Sequence, residues 1–219
     1  MTNFGKLFSL AIMAGLIASC GGPQGEKAVT SDAQEVSVKS GDVTLKLDQS
    51  SSNIEWVGAK PTGEHNGTID FQGGELMLTE GSIVGGNFTI DMNSIKNLDL
   101  TSEEDNAKLV GHLKSPDFFD VEKYPTAVFQ ITSVEPLTGN AEANHSITGN
   151  LTMKDVTRSI TFPAMVTIDD ASVTATSPVF VIDRTQWKVE YGSKTLFKNL
   201  QDKFINDEIS LMINLKAGM

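Results

Sequence analysis

The sequence predicts an all-β domain, an antiparallel barrel that closes or nearly closes on itself. Three observations carry this. Apolar residues recur at every second position in many short segments, the mark of strands with one face on a core or cavity and one on water. Glycines and turn residues separate those segments at short intervals. Two stretches carry helical spacing instead, so one or two short helices accompany the strands.

The elements follow in order. Ile54, Trp56 and Gly58 share one face of a first strand, and Ile69 and Phe71 one face of the next. Leu76 and Leu78 follow the Gly73-Gly74 break. Phe88, Ile90 and Met92 form a clean period-two set. Phe129 and Ile131 mark a later strand, and Leu151 with Met153 and Ile160 with Phe162 an adjacent pair. Ile209, Leu211, Ile213 and Leu215 make the clearest strand, with Ser210, Asn214 and Lys216 opposite. A helix is expected over 103–114, capped by Ser102, with Glu103, Glu104 and Asp105 at its positive end. A second, amphipathic helix is expected over 194–204 from Leu196, Phe197, Leu200 and Phe204.

Ahead of the domain, Lys6 is followed by an apolar run from Leu7 to Ile17 and then Ala18-Ser19-Cys20. This is the layout of a secretory signal, too short to span a bilayer as a mature helix. Cys20 is the chain's single cysteine. It cannot form an internal disulfide, and its place at the signal boundary points to another use. Residues 1–19 are thus read as signal peptide, 20–42 as a flexible tether rich in Gly, Pro and polar residues, and 43–219 as one domain. The tether has a typical reach of roughly 25 Å.

The chain has 219 residues and a net charge of −11. Loss of Lys6 with the signal takes the net charge from −11 to −12. Such a chain repels phosphate backbones, so nucleic acid is not an expected partner. His65, His112 and His145 show no metal-ligand spacing, and no nucleophile elbow appears. No metal, cofactor or catalytic residue is therefore expected. Asp117 and Asp120 flank Phe118-Phe119; paired carboxylates can do acid/base work, and turn formation and capping explain them at least as well. His112 is expected to cap a chain carbonyl or to face a ligand headgroup. Arg184 is expected to be pinned by Asp183 and stacked on Trp187, or to meet an anionic headgroup.

An ordered set of motifs goes further. It begins with Ile54-Glu55-Trp56-Val57-Gly58 and Gly85-Gly86-Asn87-Phe88. It continues through His112-Leu113-Lys114-Ser115-Pro116-Asp117-Phe118-Phe119-Asp120-Val121 and Tyr124-Pro125-Thr126-Ala127-Val128-Phe129. It ends with Asp183-Arg184-Thr185-Gln186-Trp187 and Ile205-Asn206-Asp207-Glu208-Ile209. Nearly the whole domain, in this order, resembles the YceI-like family of exported, lipocalin-like proteins. One departure is Asp155 in the turn after Met153; aspartate tolerates turns, so the hairpin is expected to form. The Ile17-Ala18-Ser19-Cys20 ending resembles the lipobox of bacterial lipoproteins. That resemblance implies a lipid attached at Cys20 and a membrane held through an acyl anchor.

The family resemblance implies an extended eight-stranded antiparallel barrel with a helix over one end and a hydrophobic tunnel for a polyisoprenoid or similar lipid. It implies no enzyme. The expected ligand-binding residues are Phe88, Ile90, Phe118, Phe119, Phe129, Met153, Phe162 and Leu211, with Phe118 and Phe119 as gate residues. Arg184, Trp187 and His112 are expected at a headgroup or in a structural role. The expected place is the cell envelope, facing the periplasm; no acidic residue follows Cys20 at once, which favours the outer membrane. A filled barrel acting as a structural or interaction module stays open as the alternative, and so does a dimer.

Overall fold

The period-two segments pair into one sheet that bends round until its ends meet. The computed structural model describes residues 23–36, 41–169 and 171–219. In chain order these form β1 (Glu26–Lys27), β2 (Val29–Asp32), β3 (Val43–Leu47), β4 (Asn53–Lys60), β5 (Gly63–Thr79), β6 (Ser82–Asp91) and β7 (Lys96–Asn97). Helix α1 (Glu103–Lys114) comes next. Then follow β8 (Thr126–Pro136), β9 (His145–Met153), β10 (Val156–Ile168), β11 (Ser172–Thr176), β12 (Phe180–Asp183) and β13 (Glu208–Gly218).

Eight strands close the ring: β4, β5, β6, β8, β9, β10, β11 and β13, with β13 returning to β4. Every pairing around the ring is antiparallel. Closure removes the exposed edges that an open sheet would leave. The alternation of the sequence then places one apolar set inside. Phe88 pairs across the ladder with Phe129, and Phe129 with Leu151.

Three local expectations are corrected. Gly73-Gly74 does not break a strand. β5 runs unbroken for 17 residues and carries a bulge between Phe71 and Gly73. The bulge adds one residue and bends the strand round the barrel. Gly74 is needed for another reason: a Cβ there would lie 2.4 Å from the Phe88 ring.

The expected helix over 194–204 is absent. Turns and a 3-10 turn at Gln201–Lys203 stand in its place. Asn199 (φ 76°) and Gln201 (φ 50°) adopt left-handed backbone, which ends any right-handed helix there. The fold therefore has one α-helix among the described residues. That helix spans Glu103–Lys114 as expected, with the Ser102 hydroxyl accepting from the Asp105 amide.

The third correction concerns the tether. Residues 26–32 of the expected 20–42 coil belong to the sheet. β11 covers only the last third of β10, from Met165 on. The rest of that edge would be left open. β2 covers Arg158 to Thr161 of it, with Ile160 opposite Thr30. β1 pairs in parallel with β12, which lies on β13. The buried Ala28 sits between them, and its amide donates to the Val181 carbonyl at 2.8 Å. One extended segment thus closes the seam between β10 and β12, for which backbone hydrogen bonding suffices and a strong apolar pattern is not required. Cys20 and the signal lie outside the described residues.

Candidate functional site

Inside the ring is a cavity of about 440 Å³, within the range of sites that take small apolar molecules. Its walls are the inward faces of the ring strands, with α1, β12 and the turn after Phe118 closing one end. β6 contributes Phe88 and Ile90, β8 Phe129, β9 Met153, β10 Phe162 and β13 Leu211. Phe118 and Phe119 stand beneath α1. These eight positions, singled out from the sequence, all face the same space.

The aromatic rings form a belt around it. Phe71 meets Phe88 edge-on at 6.1 Å between centroids. Phe129 lies 5.8 Å from Phe162, which stacks on Phe180 at 4.6 Å and 5°. Gly149 makes room for Phe129: a Cβ there would come within 2.4 Å of its ring. A ring lying across a neighbouring glycine covers backbone that would otherwise face the cavity.

Polar groups sit mostly at one end. Lys60, His65, His112, Arg184 and Lys203 line the cavity near α1, and Ser177 stands apart among aliphatic residues. Among the described residues, no carboxylate lines this space, although the chain's net charge is −11. Trp56 adds a further donor: its indole Nε1 is buried and has no hydrogen-bond partner. The opposite end, around Leu76, Ile147, Val166 and Leu215, is aliphatic.

Helix α1 forms the roof. None of its residues is fully buried, yet Leu109, His112 and Leu113 point into the cavity. It is tied down chiefly through asparagines. Asn106 donates to the Asn97 carbonyl at 3.0 Å, and Asn97 in turn to the Asn66 carbonyl at 3.0 Å and to Asp99 at 2.5 Å. Asp99 also meets His65 Nδ1 at 2.8 Å. Burial pushes the Asp99 carboxyl up, but hydrogen bonds from the Asn66 amide, His65 and Asn97 outweigh it and hold it below the usual carboxylate range.

His112 does not cap a carbonyl. Its ring packs edge-on against Phe118 at 5.0 Å and Tyr191 at 4.7 Å, with Nε2 3.7 Å from Asp117. Arg184 also differs from expectation. Asp183 instead caps the following turn by accepting from Thr185. Arg184 pairs with the buried Asp207 at 3.7 Å and donates to the carbonyls of Asn206, Val189 and Ile205. Its guanidinium carbon lies over the Phe118 ring, 5.6 Å from the ring centre, and not over Trp187. Burial lowers the Arg184 pKa, partly countered by Asp207 and Asp183. With three of its donors held by carbonyls, Arg184 is a structural residue at the edge of the cavity.

Trp187 does not line the cavity at all. It is fully buried and donates to the Leu151 carbonyl at 2.9 Å. Among the polar wall residues, the sequence gives no sign of Lys60 and Lys203, marks Trp56 only as a strand residue, and reads His65 as a residue of a Gly-rich turn. The alternation of Trp56 with Ile54 was a usable signal. The two lysines lie in or next to turns, where no periodicity marks a direction.

Comparison with known proteins agrees with this architecture. A curated UPF0312 protein of Pseudomonas putida F1 is 51% identical over 53 residues, 24% of this chain and 26% of that protein. A UPF0312 protein of Pseudomonas aeruginosa PAO1 is 38% identical over 76 residues, 35% of this chain and 34% of its own length. The matched stretches thus span only about a quarter to a third of those relatives. Among solved structures, BcnA of Burkholderia cenocepacia superposes with a TM-score of 0.60 at 22% identity, covering 78% of this chain and 99% of that one. A polyisoprenoid binding domain from Saccharophagus degradans, implicated in plant cell wall breakdown, gives 0.56 at 17% identity, covering 80% and 97%. These two likenesses are of fold. The family model for the YceI-like domain matches residues 45–217, and the chain belongs to that family.

Proposed function

We propose that this protein binds a long apolar lipid, of polyisoprenoid or other long-chain type, with the hydrocarbon in the barrel and the polar end beneath α1. The observation that carries the reading is the cavity itself. It is apolar along the barrel, and its ionisable wall groups gather at one end and are lysine, arginine or histidine. Apolar burial contributes about 25 cal/mol per Å² of ligand surface removed from water, so a long chain needs few polar contacts to bind. A ligand with an acceptor at its head matches a wall that offers donors, Trp56 Nε1 among them. The resemblance in fold to a polyisoprenoid binding domain supports the same reading.

Among the described residues, no group of three or more histidine, cysteine, aspartate or glutamate side chains is placed to hold a metal ion. The lipobox-like ending at Cys20 supports an acyl-anchored protein of the cell envelope, facing the periplasm. Storage, transport or protection of the lipid would fit such a place. Mass spectrometry of an organic extract from gently purified protein is the test. A co-purified long-chain lipid is expected, and delipidated protein should take up a dispersed isoprenoid alcohol. Neither a co-purified lipid in several mild preparations nor uptake afterwards would leave a structural or interaction module without a ligand as the better account.

A further inference from the structure

The loop from Tyr191 to Phe204 is unlike the rest of the surface. Tyr191, Leu196 and Phe197 are 46%, 51% and 48% exposed, and Leu196-Phe197 is an adjacent pair. The other exposed large apolar residues among those described are aliphatic or methionine and scattered through the chain. Exposed aromatic and leucine side chains on one loop mark a contact surface.

The charge of the loop is also inverted. Lys194, Lys198 and Lys203 stand against Asp202, in a chain whose net charge is −11. Among the described residues, no carboxylate lies within ion-pairing distance of the three lysines. Glu190 borders the loop at its start, and Asp117 lies close to His112 beneath Tyr191.

The loop also frames the cavity mouth. A bridge between Ser193 and Ile205 draws its ends together. Ile205 and Lys203 line the cavity, and Tyr191 packs on His112 and Phe118, which line it too. The segment carries the three-and-four spacing of an amphipathic helix and does not form one. Two non-glycine residues are held left-handed, and Leu196 and Phe197 face water.

We infer that this loop docks on an anionic phospholipid bilayer, placing the mouth of the barrel against the membrane. Leu196 and Phe197 enter below the headgroups while Lys194, Lys198 and Lys203 meet lipid phosphates, the arrangement of an interfacial amphipathic segment. The acidic remainder of the protein is repelled by the same surface, so the molecule lands loop-first. Lipid then passes between bilayer and cavity without crossing water. The docking surface stands on the loop alone; its use for lipid exchange rests on the binding function proposed above.

The test uses the full chain with Cys20→Ser, so that no acyl chain is attached there and the N-terminal segment is common to all variants. On this background Phe197→Trp reports the loop directly, read as the difference in emission from its parent, which carries Trp56 and Trp187 alone. That emission is expected to shift to the blue with vesicles of phosphatidylglycerol and phosphatidylcholine, and to be quenched when the acyl chains are brominated. Pure phosphatidylcholine should give a much weaker response. Leu196→Ser with Phe197→Ser should lower partition onto the anionic vesicles at least tenfold, and Lys194→Glu with Lys198→Glu should do the same. Both double variants should still take up dispersed isoprenoid alcohol. Unchanged emission of the Phe197→Trp variant with anionic vesicles overturns the proposal. So does a serine variant that partitions like its parent while losing self-association in solution, which would assign the loop to a second copy. Failure of the parent to take up lipid would instead count against the binding function and leave the docking result standing.

Discussion

Two neighbouring parts of one interior are built from similar residues and differ in what fills them. Around Trp187 the chain is solid. Trp187, Val189 and Ser193 have no exposed surface, and Arg184 only 1%. The polar groups there are nearly all held: the indole by Leu151, and the guanidinium by three carbonyls and Asp207. On the other side of Arg184, Phe129, Met153, Phe162 and Leu211 are also turned from bulk water, but they face a cavity of about 440 Å³. An apolar side chain that points inward therefore has two meanings. In the first region it is a packed neighbour; in the second it is a wall with a vacant side and fewer dispersion contacts.

Substitutions should separate the two regions. The largest effects belong to the solid one. Trp187→Ala should cost about 3–5 kcal/mol, as for large aromatic truncations in filled cores. Arg184→Ala should cost a similar ~3–5 kcal/mol, because it leaves Asp207 buried without its cationic partner, with the Thr195 hydroxyl still donating to it. Denaturant unfolding checks both, and a loss below about 1 kcal/mol for Trp187→Ala would erase the contrast. Phe129→Ala, in the wall, should cost roughly 1–2 kcal/mol, since only part of the ring is packed. Its main effect should be on lipid uptake, read by titrating delipidated protein. If Phe129→Ala costs as much as Trp187→Ala, the barrel behaves as a filled core.

Two smaller effects concern the roof. Ser102→Ala removes the cap of α1 and should cost about 1 kcal/mol. It should speed lipid exchange more than it lowers stability, because α1 buries no residue fully. The Asp99 carboxyl has a lowered pKa in the folded protein. Its contribution is therefore present above the ordinary carboxylate pKa and is lost as pH falls through the folded value. Asp99→Asn should flatten the acid limb of the stability profile. An unchanged limb would show that the tie between His65 and the asparagines does not depend on that charge.

Much of the barrel could be read directly from alternation. Phe88 with Ile90, Leu151 with Met153, and Ile209 through Leu215 each repeat every second residue, and an antiparallel ladder has that period. Helix α1 was visible for an equally local reason, a serine cap followed by three acidic residues. Residues 26–32 and 194–204 were misread because their structure is not local. The first segment is polar and becomes a strand only because β10 and β12 leave backbone edges to fill. The second has helical spacing, but its ends are drawn together by the Ser193–Ile205 bridge and its middle is bent by left-handed residues. Arg184 beside Asp183 looked like a pair; the barrel instead brings it to Asp207, far along the chain.

The sequence by itself determined which side chains turn inward, since that follows from the two-residue period of a strand. Only the tertiary structure decided that the inward set encloses a space. Whether eight apolar faces meet or stand apart depends on the strand number, bulges and closure of the ring. Closure also gathered Lys60, His65, His112, Arg184 and Lys203, distant in the chain, at one end of that space.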